Sequence, residues 1–195
     1  FRMFTALQQV ASGFLTWGGE RQILSTKRPS MLLELLHGIP DGEKVLIFCK
    51  FQHDIDTIRE AISGEFGPEA LAAFDGRDNE KKRTAAVERF RDTARFLVVT
   101  QSTGGHGFNF QDIAHYAVFY NNGFKYSERL QAEDRLHRIG QTNKVTYIDL
   151  YCTCGIEQRI EEAIAKKGNA VKAFKDEVDK VKNKKAKVKE LIKAL

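Results

Sequence analysis

Five short β-rich runs recur along the chain with amphipathic stretches between them, and this alternation constrains the fold more than any other feature. The runs are KVLIFC (44–49), LAAF (71–74), RFLVVT (95–100), YAVFY (116–120) and VTYIDLY (145–151). Between them lie HDIDTIREAIS, NEKKRTAAVERF and YSERLQAEDRLHR, whose apolar residues return every three and four positions, the helical period. Strands alternating with helices predict an α/β class, with a parallel sheet covered by helices on both faces. Open sheets of this kind leave crevices outside the carboxyl ends of their strands. The residues that follow VLIFC and RFLVVT are therefore the first candidates for a site.

The 195 residues suit one globular domain with an appendage. Residues 1–28 read as an irregular or partly helical lead-in with WGGE as its turn, and SMLLELL supplies a short amphipathic helix before the first strand. The domain proper spans 29–168. From 169 to 195 a basic amphipathic helix is expected, with Val171, Phe174, Val178, Val181, Val188, Ile192 and Leu195 in a heptad register that Lys185 interrupts. The formal charge of +5 belongs to this end of the chain: residues 166–195 hold 11 Lys against 4 acids, which leaves the first 165 residues at −2. Runs such as VLIFC and FLVV are too short to cross a bilayer and no secretory pattern opens the chain, so an intracellular, soluble protein with no membrane partner is expected. The start at Phe1 rather than Met points to a piece of something longer. Cys49, Cys152 and Cys154 form neither a disulfide framework nor a four-ligand metal spacing; they are expected to be buried free thiols, and no metal site is expected.

Two stretches could carry chemistry. TQSTGGHGFNF (100–110) follows a buried strand, but Phe110 stands where a dinucleotide fingerprint needs its third glycine, which rejects that reading. The loop is either an ordinary tight turn or a place where backbone N–H groups approach a phosphate. QAEDRLHRIGQ (131–141) sets Arg135 and Arg138 three apart, on one face of an expected helix, where they could converge on an anion. Alternatively Glu133, Asp134, Arg135 and Arg138 neutralise one another, with Asp134 and Arg138 at i, i+4. His137 has no evident partner for base catalysis.

The order of these parts resembles the second RecA-like lobe of superfamily-two helicases over roughly residues 29–165. Within that group it looks most like the SWI/SNF-type DNA translocases, whose last motif reads Q-A-x-D-R-x-H-R-x-G-Q and is matched here without a gap. The resemblance implies that Arg135 and Arg138 are the catalytic arginines facing the γ-phosphate of ATP held by another lobe. Gly107, Asn109 and Gln131 match further nucleotide-side positions. Lys50, Arg77, Arg83, Gln101 and Ser102 occupy places where the family contacts nucleic-acid phosphates. Asn121, Phe124, Lys125 and Tyr126 depart from the usual D-x-x-W-N-P segment, and Gln101 replaces a common threonine.

No glycine is followed by lysine, so the chain lacks a P-loop, and its only Asp-Glu dipeptide, Asp176 and Glu177, lies in the Lys-rich tail. The implied cofactors, ATP and Mg²⁺, would be held mainly by an N-terminal RecA-like lobe of the same polypeptide. This chain would supply the arginines and half of a duplex-DNA track, and would not hydrolyse ATP alone. A helicase lobe acting on RNA and a non-catalytic nucleic-acid-binding module remain alternatives.

Overall fold

The computed structural model describes residues 2–104, 107–123, 125–152 and 155–165. It opens with helix α1 (Arg2–Ala11) and a hairpin, β1 (Phe14–Trp17) and β2 (Glu20–Ile23), followed by α2 (Arg28–His37). The main sheet alternates with helices thereafter: β3 (Lys44–Cys49), α3 (Gln52–Phe66), β4 (Leu71–Phe74), α4 (Glu80–Asp92), β5 (Phe96–Thr100) and the single turn α5 (Gln101–Gly104). It continues with β6 (Ala114–Phe119), α6 (Tyr126–Glu133), β7 (Thr146–Asp149) and α7 (Gly155–Ala165). All five strand runs expected from the sequence form, and every pairing among them is parallel. The order is β4-β5-β3-β6-β7, so the chain crosses over the central β3 when it passes from β5 to β6. The crevice at the carboxyl ends of β5, β3 and β6 is thus the switch point where open α/β sheets take ligands.

Side-chain alternation along β3 explains why the sheet needs cover on both sides. Val45, Ile47 and Cys49 enter one core with Leu32 and Leu36 of α2 and Ile55, Ile58 and Ile62 of α3. Leu46 and Phe48 enter the other, with Phe74, Phe90 of α4, Phe110, Ala132 of α6 and Leu136. Asn79 caps α4 by accepting from Lys82 N at 3.0 Å, an interaction worth about 1 kcal/mol.

The lead-in is more ordered than its composition suggests. Gly18 and Gly19, with φ of 61° and 89°, make the two-residue turn that joins β1 to β2. Phe4 of α1 packs on Ile156 and Ile160 of α7 in a third cluster. Buried Arg28 ties these segments together: it donates to the carbonyls of Ala11, Tyr120 and Leu150 and pairs with Glu157 of α7. Cys49 is buried as expected, but Cys152 is exposed beside the exposed Tyr151, and Cys154 lies outside the described residues. The basic helix expected over 169–195 lies outside the described residues. Among the described residues no helix is long and apolar enough to cross a membrane.

Candidate nucleotide and nucleic-acid site

The QAEDRLHRIGQ stretch is only partly helical. Helix α6 stops at Glu133, and residues 134–140 turn back toward the segment before β6. Tertiary hydrogen bonds override the helical period here. The Glu133 carbonyl, which still takes local bonds from Leu136 N and His137 N, also accepts from the Tyr147 hydroxyl, and the Arg135 carbonyl accepts from Phe110 N at 2.9 Å. Leu136 still reaches the core, and that anchor fixes the turn that carries both arginines.

The turn brings the nucleotide-side candidates together. Arg135 donates from Nη1 to the Phe108 carbonyl at 3.2 Å and from Nε to the Gln131 carbonyl at 3.3 Å. Arg138 donates from Nη1 to Asn109 Oδ1 at 2.6 Å. Gly107, at φ of 83°, takes the left-handed conformation that delivers Phe108 and Asn109 to the arginines. The Gln131 side chain is exposed, and its backbone makes the contact. Burial and then the nearby Arg138 charge depress the pKa of Arg135, with Asp134 opposing. Glu133 pairs with Arg129 at 2.6 Å, and no carboxylate pairs with Arg138 among the described residues. Two cations held close on one loop suit a polyanion such as the phosphate chain of a nucleotide.

Sequence reasoning missed two residues that hold this loop. Arg91, near the end of α4, donates to the Asn109 carbonyl at 2.6 Å and pairs with Asp112 at 2.7 Å. Gln141 donates from Nε2 to the Gln111 carbonyl at 2.9 Å and the Leu136 carbonyl at 3.2 Å, stapling the loop to the turn. Its place as the last residue of the motif was the available signal.

The strand-end crevice holds the other candidates, in unequal roles. Lys50 follows β3 and is half-buried; burial pushes its ammonium down to about 8, with Glu128 partly opposing and Lys125 adding. Ser102 is exposed at the start of α5. Arg83 of α4 is half-buried, and its Nε has no hydrogen-bond partner among the described residues. Gln101 is instead an interior residue, 3% exposed: its Oε1 accepts from Gly123 N, and its Nε2 donates to the Asn121 carbonyl and Asn122 Oδ1. Both polar atoms of that amide are engaged inside the lobe, where they tie α5 to the segment after β6. Arg77 also differs from the expectation, because Asp75 and Asp56 grip its guanidinium at 2.6 and 2.8 Å. Burial raises Asp75, but the hydrogen bonds and charge of Arg77 outweigh it and hold that carboxyl below its usual range.

Asn121 and Asn122, which stand where the D-x-x-W-N-P segment would begin, knit the crevice together. Asn121 donates to Ser12 Oγ at 2.6 Å and Asp54 Oδ2 at 2.8 Å and accepts from Lys50 N at 2.7 Å. Asn122 donates to Asp149 and Glu161, both at 2.7 Å, and its carbonyl accepts from Gln8 at 3.0 Å. Among the described residues no cluster of His, Cys, Asp and Glu could hold a metal ion.

A model of the helicase conserved C-terminal domain matches residues 27–140. The chain is 30% identical over 161 residues to Protein CHROMATIN REMODELING 4 of Arabidopsis thaliana, covering 80% of this chain and 7% of that protein. It is 33% identical over 154 residues to the DNA repair protein RAD5 of Saccharomyces cerevisiae, covering 74% of this chain and 13% of that one. The chain thus spans a small part of the curated relatives it matches. The solved Sulfolobus solfataricus SWI2/SNF2 ATPase core in complex with dsDNA shares the fold at a TM-score of 0.64 and 23% identity, over 83% of this chain and 34% of that chain.

Proposed function

Because this chain belongs to the helicase conserved C-terminal domain family and is a second RecA-like lobe of the SWI/SNF type, we propose that it is one half of an ATP-driven motor on duplex DNA. The observation that carries the proposal is the arginine turn. Arg135 and Arg138 lie on one segment, close enough for the charge of one to depress the pKa of the other, and Asn109 orients Arg138.

In phosphoryl transfer negative charge spreads over the equatorial oxygens of the moving group, and planar guanidinium groups fixed beside them stabilise the transition state above the ground state. Arg135 is held by two backbone carbonyls and Arg138 by a side-chain amide, so both are oriented before the nucleotide arrives. ATP and Mg²⁺ would sit mainly on an N-terminal lobe of the same polypeptide that carries the P-loop. Closure of the two lobes would bring Arg135 and Arg138 to the γ-phosphate.

Lys50, Ser102 and Arg83 form this lobe's half of the DNA track, contacting backbone phosphates and carrying affinity without sequence preference. Gln101 supports that edge from within, and Arg77 is held at its surface by Asp75 and Asp56. The experiment is a DNA-stimulated ATPase assay of the two-lobed protein with Arg135 or Arg138 replaced by alanine, read beside DNA binding without nucleotide. Turnover should collapse while DNA binding persists.

A further inference from the structure

The hairpin β1–β2 has no part in the proposed motor chemistry, yet it is rooted at the same edge of the sheet. Phe14, 2% exposed at its base, lies edge-on to Phe51 at 5.3 Å and beside His53 at 4.4 Å, at the residues that follow β3 and Lys50. Thr16 N donates to Gln9 Oε1 of α1 at 3.1 Å, which sets the direction of the hairpin relative to that helix. Helix α1 is itself fixed to the crevice, through Gln8 to the Asn122 carbonyl, and Ser12 beyond its end accepts from Asn121. The hairpin is therefore held to the strand-end edge by both of its neighbours.

At the tip stands Trp17, 74% exposed beside the Gly18–Gly19 turn. A large aromatic left in water at the end of a two-stranded ribbon contributes nothing to the core. Beside it, between hairpin and helix, opens a cleft of about 390 Å³ lined by Arg2, Thr5, Gln9, Thr16 and Trp17. That size falls within the roughly 300–1,000 Å³ typical of small-molecule sites. The surroundings differ in charge from the rest of the lobe: residues 1–27 carry three basic residues against Glu20, a net +2, whereas residues 28–165 carry 17 basic against 21 acidic, a net −4. An exposed indole, a neighbouring guanidinium and a local excess of positive charge are the ingredients of a base-stacking platform.

We propose that the β1–β2 tip is a second nucleic-acid contact, in which Trp17 stacks on an unpaired base while Arg2 faces the phosphate beside it. The inference rests on the nucleic-acid reading of the strand-end edge, and it adds a preference for strands with exposed bases that the track alone does not supply.

The chain contains one tryptophan, so its emission reports this position alone. A short oligothymidine should quench that emission saturably, along a curve that follows the anisotropy of the labelled oligonucleotide. Trp17→Ala should weaken binding on the order of tenfold, and Trp17→Phe should recover most of the loss. A blunt duplex should bind with little quenching, and that binding should depend on Lys50. Oligothymidine bound with unchanged emission, together with undiminished binding by Trp17→Ala, would overturn the proposal and turn the tip toward a protein surface such as the other lobe. If Lys50→Ala still weakens the duplex in that case, the track survives and the hairpin contact alone falls. Binding of neither nucleic acid would remove both. Because Trp17 is exposed, unchanged circular dichroism melts should confirm that its variants fold.

Discussion

Replacing Arg28 by alanine should be among the most destabilising single changes in this lobe. Its guanidinium is 7% exposed, pairs with Glu157, stacks over the Tyr120 ring at 5.4 Å and satisfies the carbonyls of Ala11, Tyr120 and Leu150. Alanine removes all of these and leaves Glu157, 5% exposed, with the Cys152 N–H as its remaining hydrogen-bond donor among the described residues. Removing one partner of a buried ion pair costs about 3–5 kcal/mol, because the stranded charge stays desolvated. That is a fifth or more of the roughly 5–15 kcal/mol that holds a domain folded. At about 2–4 °C per kcal/mol for a chain of this length, Tm should fall by roughly 6–20 °C. Urea denaturation followed by circular dichroism measures the loss. The double variant Arg28→Met with Glu157→Leu should recover part of it, since no unpaired charge remains. A loss below about 1 kcal/mol in Arg28→Ala, or a double variant no better than the single, would refute the reasoning.

Three further outcomes are expected. Burial pushes the Asp54 carboxyl up to about 6 against the hydrogen bonds from Asn121 and Phe51, so the native state keeps a proton that the unfolded chain has released. Stability should therefore decline as pH rises from about 4 to about 6, and Asp54→Asn should flatten that interval; parallel curves for the two proteins would contradict it. Lys50, depressed to about 8, should make duplex affinity fall as pH rises through that value, and Lys50→Arg should abolish the dependence in an anisotropy titration. The isolated 195-residue chain should release no phosphate from ATP above background, with or without DNA, because it carries no P-loop; measurable turnover would remove the half-motor reading.

Elements set by local pattern were legible in the sequence, and elements set by distant contacts were not. KVLIFC, LAAF and RFLVVT declare buried strands because both faces of the sheet are covered, and the crevice follows from their order. The end of α6 was missed because Phe110, far along the chain from Arg135, accepts no part in a helical period but donates to the Arg135 carbonyl. The hairpin strands were missed because burial along β2 is nil, so alternation gives no signal; only the Gly18–Gly19 turn was visible. Gln101 reads as a surface donor until Gly123 is seen to occupy it, and Arg77, exposed as expected, is already paired with Asp56 and Asp75. Arg28 and Glu157, 129 residues apart, meet only in the folded lobe.

If Arg138 acts on the nucleotide across a closing cleft, turnover and DNA binding should separate when it is replaced. In the two-lobed protein, Arg138→Ala should lower DNA-stimulated turnover on the order of a thousandfold, with Arg138→Lys rescuing poorly because an ammonium cannot reproduce the planar fork. Duplex binding without nucleotide should stay unchanged, since Arg138 faces Asn109 rather than the strand-end crevice. Near-normal turnover in Arg138→Ala, or loss of DNA binding in parallel with turnover, would contradict the assignment.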